Sequence, residues 1–205
     1  MKKNKRVCAV VVTHNRIELL KKLVNSLENQ SEELDILIVN NDSKDGTNEW
    51  LSNKKNLIVI NQKNLGGAGG FYTGIKYAYE NEYEYTWCMD DDGCAVDSTL
   101  EFLIEKAEKD TVVGSVVYDI EKNDHLAFRT IYRGNNTVKI IENKNEINNM
   151  ISNGINEIDG YASFFNSVLF PRDIVSKVGY PLPQLFMWGD EIGRASCRER
   201  VSSPV

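Results

Sequence analysis

The run Val7-Cys8-Ala9-Val10-Val11-Val12-Thr13 carries no polar side chain before its last residue. A strand covered on one face alternates apolar with polar residues, whereas an unbroken β-branched run reads as a strand buried on both faces. Further short apolar runs follow at Ile36–Val39, Leu57–Ile60, Tyr85–Met89 and Val112–Tyr118. Helical patterns separate them. Ile17, Leu20, Leu23, Val24 and Leu27 recur at helical spacing behind Asn15 as a cap, and Asp97 or Ser98 caps a helix over Leu100–Lys109. Strands alternating with helices predict β-α-β units: an α/β fold with a mainly parallel sheet flanked by helices.

In such a sheet, ligands sit beyond the carboxyl ends of the strands. Four polar segments fall there: Thr13–Arg16, Asn40–Asp45, Asn64–Gly70 and Asp90–Asp92. After Asp119 the pattern loosens. Leu126–Tyr132 and Thr137–Ile141 read as a hairpin around Gly134-Asn135-Asn136, Tyr161–Phe170 as a strand, and Asp173–Val178 as a short helix. A loop over Pro181–Trp188 leads to Gly189-Asp190-Glu191.

A length of 205 residues suits one domain, and a net charge of −6 argues against a nucleic-acid partner. Cys8, Cys88, Cys94 and Cys197 have the spacing of neither a disulfide framework nor a zinc site. No apolar window reaches the roughly 18 residues of a membrane span. The basic start is followed by too short an apolar run for an export signal, so the chain reads as cytoplasmic. Ile192–Val201 lacks periodicity and looks like one reading frame of a sequencing-adapter oligonucleotide. Native sequence is therefore expected to stop at Glu191, leaving residues 192–205 as a non-native tail on a fragment.

Chemistry concentrates at two places. Asp90, Asp91 and Asp92 repel one another at the end of a buried strand, and a divalent cation relieves the conflict, since Mg²⁺ or Mn²⁺ takes one or two carboxylates plus phosphate oxygens. Alternation along an extended segment would let Asp90 and Asp92 reach one ion. The glycines of Asn64-Leu65-Gly66-Gly67-Ala68-Gly69-Gly70-Phe71 open a helix whose free N–H groups favour an anion, although a tight strand–helix connection uses glycine equally well. Asp42–Thr47 could likewise be only a turn with a helix cap. His14 and His125, each alone, read as structural.

Taken in order, Val11–Arg16, Val39–Thr47, Asn64–Phe71, Met89–Asp92 and Trp188–Glu191 resemble glycosyltransferase family 2, most closely its galactofuranosyl- and rhamnosyltransferase-like branch. The resemblance implies a GT-A fold with a small mixed-β acceptor-side region, a nucleotide-sugar donor, a Mn²⁺ or Mg²⁺ cofactor at a D-x-D motif, and inverting transfer to a glycan or glycolipid hydroxyl. It assigns residues 1–119 to the nucleotide-sugar half and 120–191 to the start of the acceptor half. Thr13, Arg16, Asn40, Asp42, Asn64, Gly66, Gly67 and Asp91 fall at donor-binding positions, and Asp90 and Asp92 at the metal. Either Glu191 or Asp190 falls at the catalytic base, the register favouring Glu191. Asn40 stands where the family usually has an aspartate facing uracil or ribose. A late metal-site histidine and acceptor helices, in some members with a membrane-facing surface, would follow Glu191.

Two rivals stand beside this reading. A sugar-1-phosphate nucleotidyltransferase needs a glycine-rich loop with Arg and Lys after the first strand, where Thr13-His14-Asn15-Arg16 stands. A non-catalytic nucleotide- or carbohydrate-binding module would need no base at all.

Overall fold

The computed structural model describes residues 6–122, 124–134, 137–159, 166–185 and 199–202. The chain opens with β1 (Val7–Thr13), α1 (Ile17–Glu28), β2 (Asp35–Asn41), α2 (Thr47–Ser52), β3 (Leu57–Gln62), α3 (Gly66–Glu80), β4 (Tyr85–Asp90), α4 (Thr99–Lys106) and β5 (Val112–Ser115). A hairpin of β6 (His125–Arg133) and β7 (Val138–Asn143) follows, then α5 (Lys144–Ser152), β8 (Glu157–Asp159), β9 (Asn166–Pro171), α6 (Arg172–Val178) and β10 (Glu199–Ser202).

The main sheet has the order β3-β2-β1-β4-β9-β5-β10-β8. Its first four strands run parallel, and β9 lies antiparallel between β4 and β5. Every residue of β1 is buried. Cys8, Val10 and Val12 face Phe71, Ile75 and Ala78 of α3. Val7, Ala9 and Val11 face Leu20, Leu23, Val24 and Leu27 of α1 with Leu100 and Leu103 of α4. Helices thus cover both faces, as the unbroken apolar run requires.

The glycines of α3 set how closely that helix lies on the sheet. A Cβ on Gly70 would stand 2.3 Å from Val12 Cγ1, and one on Gly74 2.2 Å from Val10 Cγ1. Those two positions are packing glycines. The stretch expected as a loop through Gly70 is helical from Gly66 onward.

Other differences from the sequence reading have local causes. Asn15 does not cap α1: its backbone is left-handed, at φ 56°, and its Oδ1 accepts from the Lys44 N–H at 2.6 Å. The Ile17 N–H donates instead to Asp45 Oδ2 at 2.9 Å. Ser98 holds the N-cap position of α4, as expected for one of the two residues, but its side chain makes no capping bond; Gln30 Oε1 accepts the Leu100 N–H at 2.9 Å. Both caps come from far along the chain. β5 ends at Ser115 rather than Tyr118, since the following segment turns to pair with β6: Ala127 N–H donates to Val117 O at 2.8 Å and Asp119 N–H to His125 O at 3.0 Å. Glu199–Ser202, in the stretch set apart as a tail, lies between β5 and β8. Ladder bonds join backbone to backbone, so an open strand edge accepts an extended segment whatever its side chains.

Candidate active site

From β1 the chain fills the β2–β3 side of the sheet, then crosses to place β4 on the other side of β1. In open α/β sheets ligands bind at such a reversal, beyond the carboxyl ends of the strands, here those of β1 and β4. Thr13 ends β1; Asp90 ends β4 and pairs in register with Val12.

The segments expected on this rim are bonded to one another. Thr13 Oγ1 donates to Asp91 Oδ2 at 2.7 Å. Arg16 Nη1 reaches Asp91 Oδ1 at 3.2 Å and Asp92 Oδ2 at 2.8 Å. Asp91 is 4% exposed. Burial pushes its carboxyl above the ordinary value, and the Thr13 hydroxyl and Arg16 only partly offset this. Reciprocally, Asp91, with Asp92 behind it, strengthens the hold of Arg16 on its proton.

The triple aspartate is not extended throughout. Gly93 N–H bonds back to Asp90 O at 3.3 Å, so the chain turns immediately after β4. Strand alternation therefore does not carry past Asp90; Asp91 and Asp92 converge on the one guanidinium, with Asp91 turned inward. Asp92 stays half-exposed.

The β2 loop is wired as densely. His14 Nδ1–H donates to the Asn41 carbonyl at 2.6 Å, which leaves Nε2 to accept from Asn15 Nδ2. Ser43 Oγ accepts the Asn15 N–H at 3.0 Å. Burial opposes ionisation of Asp45, but donors from Thr47 and Ile17 outweigh it and hold the carboxyl below its ordinary value. Asp42, with a left-handed backbone, pairs with Lys44 Nζ at 2.5 Å. His14 and Asp45 thus serve structure.

The start of α3 is tied to the same rim. Asn64 Oδ1 accepts the Gly66 N–H at 2.9 Å, and Asn41 Nδ2 donates to Gly66 O at 2.9 Å. Asn41 Oδ1 accepts from Gln62 Nε2, whose Oε1 in turn accepts from Thr73 Oγ1. Gly67 differs from its neighbours, because a Cβ there would meet nothing within 4 Å. Packing thus accounts for Gly70 and Gly74 but not for Gly67, which lies in the first turn of α3.

An open cleft of about 590 Å³ adjoins this network, lined by Asn40, Asn61, Asp42, Lys44, Glu49 and Lys63 among others. Asn61 and Gln62 escaped the sequence reading. They directly follow the apolar run Leu57–Ile60, but only the ladder, in which they pair with Asn40 and Asn41, gives them a place at the rim. Asp190 and Glu191 lie outside the described residues, as do residues 161–165 of the expected acceptor-side strand.

Among the described residues no three His, Cys, Asp or Glu side chains converge to hold an ion by themselves. A nucleotide-bound Mg²⁺ or Mn²⁺ asks for less: one or two carboxylates, with phosphate oxygens completing the shell. The carboxylates at this corner of the type such an ion takes are Asp90 at the strand end and half-exposed Asp92, whose Oδ2 here bonds Arg16.

Residues 8–170 match the Glycosyl transferase family 2. The chain belongs to that family. It is 33% identical over 192 residues to galactofuranosyltransferase GlfT1 of Mycolicibacterium smegmatis, covering 91% of this chain and 63% of the relative. Undecaprenyl-phosphate mannosyltransferase of Micrococcus luteus is 31% identical over 116 residues, 54% of this chain and 48% of the relative. A structure of GalNAc-T7 with UDP, GalNAc and Mn²⁺ superimposes with a TM-score of 0.67 at 13% identity, covering 98% of this chain and 43% of that one. The family 2 chain thus has the GT-A fold expected from its motifs, and it spans less than two thirds of the length of the relatives it matches. No helix among its described residues is long and apolar enough to cross a membrane.

Proposed function

We propose that this chain carries the donor site of an inverting glycosyltransferase that uses a UDP- or dTDP-sugar, such as galactofuranose or rhamnose, and a glycan or glycolipid acceptor. The observation that carries the reading is the joining of β1, β2, β4 and α3 at one rim, with Arg16 between Asp91 and Asp92. The galactofuranosyltransferase relative supports the sugar, the polyprenyl-phosphate enzyme a lipid-linked acceptor, and GalNAc-T7 the pairing of UDP with Mn²⁺. Residues 1–119 form the donor half and 120–191 begin the acceptor half.

In this assignment the nucleoside lies in the cleft at Asn40 and Asp42, and the diphosphate over Thr13, Arg16 and the first turn of α3. Asn64 takes up the Gly66 N–H, and the open Gly67 leaves room for an anion to approach the rest of that turn. Asp91, with both oxygens bonded inside the protein, orients Arg16 rather than touching the donor. Asp90 and Asp92 would hold Mn²⁺ or Mg²⁺, whose chemistry when bound is neutralisation of diphosphate charge. Arg16 adds a fixed positive charge where negative charge grows as the sugar–phosphate bond breaks. Glu191, or Asp190 beside it, takes the proton of the acceptor hydroxyl as that oxygen attacks the anomeric carbon from the rear, which inverts the centre.

Thermal melting with UDP, UDP-galactofuranose and dTDP-rhamnose, with and without Mn²⁺, tests the reading. A ligand at a hundred times its Kd stabilises by about 2.7 kcal/mol. Mn²⁺-dependent stabilisation by a nucleotide or nucleotide-sugar is expected. Stabilisation by free glycan alone would replace the donor site with a carbohydrate-binding module.

A further inference from the structure

The cleft beside the rim contains a pair of amides whose hydrogen-bond polarity is forced. Asn40, 3% exposed at the end of β2, lies in ladder register with Asn61 at the end of β3. The Ser43 backbone N–H, which can only donate, points at Asn40 Oδ1 at 3.1 Å. Asn40 must therefore turn its amide nitrogen the other way, and Nδ2 donates to Asn61 Oδ1 at 2.9 Å. That bond fixes Asn61 in turn: its oxygen faces Asn40, and its amide nitrogen, with no hydrogen-bond partner among the described residues, is left for the cleft it lines.

The consequence is chemical. An aspartate in place of Asn40 would offer a base only acceptors. Here one backbone N–H, relayed through two side chains, makes the strand-end floor of the cleft a set of donors. The side-chain acceptors elsewhere in the lining are Asp42, paired with Lys44, the Ser43 hydroxyl and the Gln62 amide oxygen, which take up the Asn15 N–H and the Thr73 hydroxyl, and Asn48 and Glu49 on α2, away from the strand-end floor.

We infer that Asn61, oriented by Asn40 and Ser43, is a specificity-determining residue that reads a pyrimidine base through a carbonyl oxygen and not through its N3–H. This deepens the donor-site reading and rests on it. It predicts that blocking N3 is harmless, whereas reversing the polarity of the amide is not.

The test is calorimetric titration of the 205-residue chain, in Mn²⁺, with UDP and with N3-methyluridine diphosphate. Both are expected to bind with Kd values within about threefold of each other, the scale of less than one net hydrogen bond. Asn61→Asp keeps an acceptor for Asn40, so its melting temperature should stay near that of the wild type. It should weaken UDP about tenfold and the methylated analogue further still, as a carboxylate accepts N3–H but cannot donate. Wild-type protein that binds UDP yet loses the methylated analogue tenfold or more overturns the inference, as does Asn61→Asp binding UDP undiminished. Absence of binding by UDP and by dTDP alike removes the nucleotide reading itself, and the inference with it.

Discussion

The parallel half of the sheet and the β6–β7 hairpin solve the burial problem in opposite ways. β1 buries all of its side chains, between α3 on one face and α1 with α4 on the other. The hairpin buries only one face. Leu126 and Ile141 pack with Ile147 of α5, while Val138 is left 72% exposed and Ile140 and Phe128 are also exposed. Two covered faces hold the strand ends in register, and there the chain joins β1, β2, β4 and α3 through a polar network of long sequence separation. A one-faced ribbon has no comparable edge to organise.

The largest test of this contrast is in the core. Trp87 of β4 is fully buried, and its Nε1 donates to Ser167 Oγ. Trp87→Ala should cost about 3–5 kcal/mol in urea unfolding, against at most about 0.5 kcal/mol for Ile140→Ser on the hairpin. Equal losses would erase the distinction between the two regions. Next come the glycines. Gly74→Ala forces a methyl into Val10 and should cost about 1–3 kcal/mol. Gly67→Val meets open space, so it should leave the unfolding midpoint unchanged and weaken UDP binding instead. A destabilised Gly67→Val protein with normal UDP affinity would make that glycine structural.

The smallest effects concern two aspartates of opposite sign. Asp45 titrates below its ordinary value when folded, so the stability it adds is present above that value and is lost as pH falls through the folded one. Asp45→Asn should cost about 1 kcal/mol near neutrality, the usual worth of a helix cap, and its deficit should shrink in acid. Asp91 titrates above its ordinary value, so its contribution is present in acid and is lost as pH rises through the folded value. The stability of Asp91→Asn relative to wild type should therefore rise with pH over that window. Urea midpoints across the acid range distinguish the two slopes; parallel behaviour would break the assignment of Asp91 as the buried partner and Asp45 as the cap.

How much of this could be read from sequence follows from where each interaction is encoded. The strands of the parallel half and the helices α1, α3 and α4 were legible because apolar periodicity is local, whereas the short α2 was not expected beyond a turn with a helix cap. Asn15 was misread as a cap because the residue that fills that place, Asp45, belongs to the next β–α loop. Asn61 and Gln62 were overlooked since their meaning depends on pairing with Asn40 and Asn41. The Asp90–Asp92 alternation failed as an argument because a turn, invisible in three identical residues, begins right after Asp90. Long-range register, not composition, carried the missing information.

The central claim is that one rim gathers a nucleotide diphosphate and its cation. Paramagnetic broadening of amide resonances by trace Mn²⁺, recorded with and without UDP, tests it most directly. With UDP present, the account predicts early loss of the Asp90–Gly93, Arg16 and Gly66–Gly67 signals while those of the β6–β7 hairpin persist. Broadening that begins at the hairpin, or that is unaffected by UDP, would contradict it.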